Sequence, residues 1–115
     1  MEITKSRITF IRGDDDALMV ALKNGKTFQD GDKVYFSLKA TPADEEDLLQ
    51  IVVEEFQTYN GIENAAVLIK IAHADTIELA LGKYYYDILI EWADTDVRTV
   101  VKPTIFTLVA GGSHV

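Results

Sequence analysis

The dominant repeat along this chain is two residues. Within residues 33–40, Val34, Phe36, Leu38 and Ala40 fall on one side, and Lys33, Tyr35, Ser37 and Lys39 on the other. That alternation is the signature of a half-buried strand. Leu18, Val20 and Leu22 alternate with Ala17, Met19 and Ala21; Val67, Ile69 and Ile71 line one face of residues 66–72 while Lys70 marks the other. In residues 83–92, Tyr84, Tyr86, Ile88, Ile90 and Trp92 share a face opposite Asp87 and Glu91. Ile8 and Phe10 near the start, and Phe106 and Leu108 near the finish, read the same way.

Turn signals separate these runs: Gly13-Asp14-Asp15-Asp16, Lys23-Asn24-Gly25-Lys26, Gln29-Asp30-Gly31-Asp32, Tyr59-Asn60-Gly61 and Ala93-Asp94-Thr95-Asp96. Asn24-Gly25 is the strongest, because a type I′ turn needs two residues at positive φ. Two segments break the alternation. Thr41-Pro42 followed by Asp44, Glu45, Glu46 and Asp47 has an N-cap, a proline at N1 and acids in the first turn, which predicts a short helix start. Asp75-Thr76-Ile77-Glu78 reads as a capping box closed by Gly82, a second helical turn. Parity fails at Lys102-Pro103, and proline cannot donate to a ladder, so an edge strand or a bulge is expected there. The expectation is an all-β, immunoglobulin-like β-sandwich of about seven strands with at most one or two short helical turns. Residues 1–110 form its single domain and residues 111–115 a flexible tail.

Composition narrows the function classes. At 115 residues, 48% of them hydrophobic, the chain can bury a core without staples, and without cysteine it must. No disulfide, thiolate metal site or cysteine nucleophile is available. The formal charge of −8 repels a phosphate backbone, so nucleic acid is not an expected partner. The Met1-Glu2 start lacks an apolar h-region and no apolar run is long, so neither a signal peptide nor a membrane span is expected.

Candidate chemistry is sparse. His73 continues the parity of Val67, Ile69 and Ile71 as a strand-end residue, and His114 falls in the tail. No Ser/His/Asp set or His-x-x-x-His spacing is readable, so no catalytic residue is assigned and no enzyme is expected. Asp14-Asp15-Asp16, Asp30-x-Asp32 and Asp94-x-Asp96 lack the ligand spacing of a calcium loop; no metal or cofactor is expected. Arg12-Gly13-Asp14 is an integrin-type tripeptide, but one such tripeptide arises by chance in ~2% of chains this long. Here glycine turns the chain and Asp14 caps the turn. A glycan site wants two exposed coplanar aromatics, and the outward Tyr35, Tyr59 and Tyr85 are scattered while Trp92 points inward. Charge is uneven: residues 41–64 hold Asp44, Glu45, Glu46, Asp47, Glu54, Glu55 and Glu63 but no Lys or Arg. Asp44, Glu45, Glu46, Asp47, Glu54 and Glu55 are therefore a candidate acidic interaction edge. Lys5, Arg7 and Arg12 on the first strand are its basic counterpart.

Two resemblances add to this. Gly82-Lys83-Tyr84 after Asp75 resembles the corner before strand F of immunoglobulin-like sandwiches. There a tyrosine hydroxyl ties back to the corner's backbone; Tyr86 stands where an antibody domain carries its second cysteine. The resemblance makes Gly82, Tyr84 and Tyr86 a structural corner. The second spans roughly residues 12 to 108. Arg12-Gly13-Asp14-Asp15, then residues 30–39 (DGDKVYFSLK), then Asp75-Thr76 with residues 81–88 (LGKYYYDI), then residues 99–108 (TVVKPTIFTL) are similar to small bacteriophage tail proteins. That family includes the N-terminal, immunoglobulin-like domain of phage baseplate upper proteins. The resemblance implies a structural virion component made in the bacterial cytoplasm, with other tail or baseplate proteins as partners and self-association into a homo-oligomer. The alternative expectation is a ligand- or glycan-binding immunoglobulin-like module.

Overall fold

A computed structural model describes residues 1–94 and 96–111. Thr95 and residues 112–115, His114 included, lie outside the described residues, and most of the expected tail with them. The elements run β1 (Glu2–Thr4), β2 (Arg7–Ile11), β3 (Asp16–Ala21), β4 (Lys33–Lys39), β5 (Leu49–Val53), β6 (Gln57–Tyr59), β7 (Ile62–Ile71), α1 (His73–Thr76), β8 (Gly82–Glu91) and β9 (Val97–Val109). They form a six-stranded sheet in the order β1-β2-β9-β8-β4-β5 and a three-stranded sheet β3-β7-β6. Every ladder is antiparallel except β2 against β9, which is parallel. Strands β9-β8-β4 with β5 beside them, facing β3-β7-β6, reproduce the two sheets of an immunoglobulin-like sandwich, with β2 added along β9.

The two-residue period does what it predicts. Val34, Phe36 and Leu38 of β4, Val67, Ile69 and Ile71 of β7, Tyr86, Ile88 and Ile90 of β8, and Phe106 and Leu108 of β9 are all buried in one core. The two layers differ in chemistry. Phe10, Phe36, Tyr86 and Phe106 from the large sheet interlock, with Phe36 and Tyr86 stacked at 5.5 Å and Phe106 edge-on to both. Opposite them the small sheet supplies the aliphatic side chains of β7 together with Leu18 and Val20. Each buried aromatic of this size contributes ~1.5–3 kcal/mol.

The all-β sandwich is as expected, with nine strands among the described residues where about seven are expected. β5 alternates in its burial but is short. β1 and β6 have three residues each and exist only because a neighbour pairs with them. The β1–β2 hairpin turns on Lys5 and Ser6, at φ 50° and 69°, a left-handed pair with no Asn-Gly to announce it. Asn60-Gly61 makes the β6–β7 hairpin at φ 52° and 77°. Asn24-Gly25 also takes positive φ, but it joins β3 to β4, which lie in different sheets. The turn type is as expected; a hairpin is not its consequence.

The helical expectations need correction. Residues 41–47 form no helix. Thr41 Oγ1 donates to Asp44 at 2.8 Å and the Asp44 N–H to the Thr41 carbonyl at 3.2 Å, after which Leu48 N–H returns to Leu38 O at 2.7 Å. A single turn pulled back into the sheet at Leu48 is too short to offset the cost of nucleation, although its acids suit a helix start. The second helical turn exists but starts earlier, at His73, with Ala72 as N-cap and Asp75 at N3. The Asp75 carboxylate accepts the Ala72 N–H at 2.8 Å. His73 is thus the first residue of α1 rather than the end of a strand, and it is exposed. Pro103 combines both expected features: the β8–β9 register slips between Thr104 and Val101, and β2 pairs only with residues 106–109, leaving the proline on an open edge.

Tyr84 is buried and its hydroxyl donates to the Ala80 carbonyl, whereas Tyr85 points to the opposite, outward face beside Ile105. Tyr84→Phe is expected to lower unfolding stability by about 1–2 kcal/mol in a denaturant titration. Tyr85→Phe should change it by less than about 0.5 kcal/mol. Equal losses would contradict the corner.

Candidate interaction surfaces

The predicted acidic edge is split by the fold. β5 is the outermost strand of the large sheet on one side, and its five residues span about 17 Å. Asp44, Glu45, Glu46 and Asp47 lie in the loop before it, Glu54 and Glu55 just after it. Three of the six are engaged within the chain. Asp44 holds Thr41; Asp47 pairs with Lys39 at 3.8 Å and accepts Gln50 Nε2 at 3.2 Å; Glu54 pairs with Lys33 at 3.8 Å. Glu45, Glu46 and Glu55 face solvent.

The basic residues come from the other end of the same sheet. β1 and β2 form its opposite margin, where Lys5 and Arg7 are exposed at the hairpin turn. The Tyr86 hydroxyl pins that turn by donating to the Ser6 carbonyl; burial pushes the Tyr86 phenol above its ordinary pKa, so it stays a neutral donor. Arg12 is elsewhere. It sits past β2 and reaches the Leu79 carbonyl at 3.4 Å, bracing the segment after α1.

The Arg12-Gly13-Asp14 tripeptide is bound into the fold. Gly13 is at φ 86°, its N–H donates to the buried Thr76 Oγ1 at 2.9 Å, and a Cβ there would approach Ile77 Cδ1 to 2.9 Å. The Asp14 side chain makes no cap among the described residues, while Asp15 Oδ1 accepts the N–H of His73, the first residue of α1, at 2.7 Å. His73 Nδ1 lies 2.6 Å from the Gly13 carbonyl. The other acidic turns are used in the same way. Asp32, 3% exposed, accepts the N–H groups of Gln29 and Ala93 at 2.8 and 2.7 Å. Among the described residues no three His, Asp or Glu side chains converge as a metal set would require. No helix of the described residues is long and apolar enough to cross a membrane.

Two burial features go beyond what the two-residue period gives. Phe28 is a loop residue, yet fully buried. Its N–H donates to the Asn64 carbonyl at 2.7 Å, and its ring stacks on Phe56 at 4.6 Å and Trp92 at 5.8 Å. Beside this stack lies an open cleft of about 490 Å³, lined by Lys26, Thr27, Gln29, Trp92 and Asp94. The second feature is Asp87, half-buried on the outward face of β8. Burial, more than the neighbouring Asp47, raises its pKa, against the pull of Lys39.

No family model matches the chain, and neither the curated proteins nor the solved structures provide a match.

Because Asp87 holds its proton more tightly folded than unfolded, it opposes folding once pH rises past the ordinary carboxylate range. Asp87→Asn is expected to raise Tm by about 1–3 °C at pH 7. The gain should vanish below pH ~3, where Asp87 is protonated in both states. Thermal melts across this window check it; a pH-independent gain would refute the electrostatic cause.

Proposed function

We propose that this protein is a non-enzymatic structural component of a bacteriophage or prophage tail or baseplate, acting by docking to other tail proteins and by self-association. It is made in the bacterial cytoplasm and incorporated into the virion. The observation that carries the reading is the placement of charge on one sheet: exposed Lys5 and Arg7 at its β1–β2 margin, exposed Glu45, Glu46 and Glu55 flanking β5 at the other. A heterologous contact between such margins repeats from copy to copy and closes where its rotation allows. Strand edges with unpaired N–H and C=O groups also favour pairing with another chain. The sequence phrases shared with phage tail proteins supply the setting.

A second reading, a ligand- or glycan-binding module, draws on the open cleft beside Trp92. One face of that ring already packs on Phe28, so the cleft offers less aromatic surface than a sugar-binding platform usually presents.

The protein should be found by mass spectrometry in tail particles purified from the bacterium that encodes it, and its absence from them would overturn the reading. In light scattering, association should weaken between about 20 and 500 mM salt, because exposed charges are screened within ~10 Å or less. Lys5→Glu/Arg7→Glu and Glu54→Lys/Glu55→Lys should each weaken it too. An oligosaccharide array should stay silent; a reproducible signal lost in Trp92→Ala would favour the second reading instead.

A further inference from the structure

The outward face of the large sheet has an asymmetry between its two central strands. β4 turns Lys33, Tyr35, Ser37 and Lys39 to this side, none of them acidic, with Ser37 buried. β8 presents Tyr85, Asp87, Leu89 and Glu91, with its one base, Lys83, near the strand's start. Their register sets Lys33 beside Glu91, Tyr35 beside Leu89, Ser37 beside Asp87 and Lys39 beside Tyr85. Val52 extends the Tyr35–Leu89 row on β5, and Val97 stands beyond Glu91 on β9. Both valines are about half exposed, at 45% and 54%. An apolar row therefore crosses the middle of the face, with a basic column on one side of its centre and an acidic column on the other.

We propose that this face is a self-complementary interface, occupied by the same face of a second copy of the chain about a two-fold axis running along the strands between β4 and β8. The inference rests on the self-association part of the proposed function and adds a surface distinct from the sheet margins. Rotation about that axis exchanges β4 with β8. Lys33 of one copy then meets Glu91 of the other, twice, while Tyr35 meets Leu89; Ser37, 6% exposed and bonded by Gln50 Nε2, makes no contact across the axis. An isologous contact requires this correspondence between a patch and its own rotated image. An axis across the strands would instead set Lys33 against Lys39, so the charges select one of the two orientations. Within its own chain Lys33 lies 3.8 Å from Glu54, an exposed pair with which the contact to Glu91 of the other copy has to compete. Four strands at ~4.8 Å spacing and seven residues of length give roughly 900 Å² over both copies, below the usual range for stable complexes. The dimer is accordingly weak and concentration-dependent.

Sedimentation velocity over a protein concentration series tests it. The wild-type chain should shift from monomer toward twice the monomer mass as concentration rises. Lys33→Glu sets a carboxylate against Glu91 of the other copy, and Glu91→Lys sets two ammonium groups together; each should weaken dimerisation by at least about tenfold. Mixing the two variants restores opposite-charge contacts, so the mixture should form a heterodimer although neither variant dimerises alone. Misfolding cannot be repaired by mixing, which separates this outcome from a structural defect. Lys5→Glu/Arg7→Glu, which removes the margin contact, should leave the two-fold face dimer in place. A wild-type chain monomeric at every concentration, or a mixture no better than its components, would overturn the proposal. If the face variants change nothing while the margin variants abolish association, this inference falls and the margin contact of the proposed function stands.

Discussion

Tyr86 is the residue on which the rest of the architecture turns. Its ring stacks on Phe36 and meets Phe106 edge-on, and its hydroxyl reaches the Ser6 carbonyl. The position is the one at which an antibody domain places a covalent bridge between sheets. With no cysteine in the chain, the sheets are held without a covalent bridge, by the apolar surface they exclude from water and by the fit of the aromatic layer against β7. Such stacked and edge-on pairs add ~0.5–1.5 kcal/mol each beyond the area they bury. The same side chain also fixes the left-handed Lys5–Ser6 turn, so the packing of the core determines where the exposed bases of the sheet margin stand.

Polar side chains hold the two ends of the sandwich in a comparable way. At one end Asp32 accepts two backbone N–H groups from separate loops; at the other Thr76 accepts the Gly13 N–H. Both are almost fully buried, and the loop N–H groups supply the partners that their buried oxygens require. The acidic turns at residues 14–16, 30–32 and 94–96 serve the loops in a similar way, for Asp15, Asp16, Asp32 and Asp94 each accept a backbone N–H.

What remains free is surface. The large sheet has a basic margin, an acid-flanked margin and a broad outward face with paired columns of opposite charge. Cleft and histidine chemistry are weak by comparison: His73 is tied to Gly13 at the corner, and the Trp92 cleft is backed by a closed aromatic stack. These surfaces are what the proposed docking role draws on.

Parity along β2, β4, β7, β8 and β9 was legible because a strand buried on one face must alternate, whatever lies opposite it. Pro103 was legible for the same kind of reason, since a missing N–H excludes an inner ladder position anywhere. The turn type at Asn24-Gly25 is likewise local, set by which residues tolerate positive φ. Its consequence was not local, for whether it closes a hairpin or crosses between sheets depends on which faces fill one core. Phe28 shows the same limit: outside a strand no period marks a residue as buried, and its place between Phe56 and Trp92 is set by segments distant in sequence. The acidic run at residues 44–55 was visible as composition, but its division by β5, its partial neutralisation by Lys33 and Lys39, and its position opposite Lys5 and Arg7 were decided by strand order. Local sterics and hydrogen-bonding capacity are written residue by residue; adjacency is a property of the closed core, and only the tertiary structure supplies it.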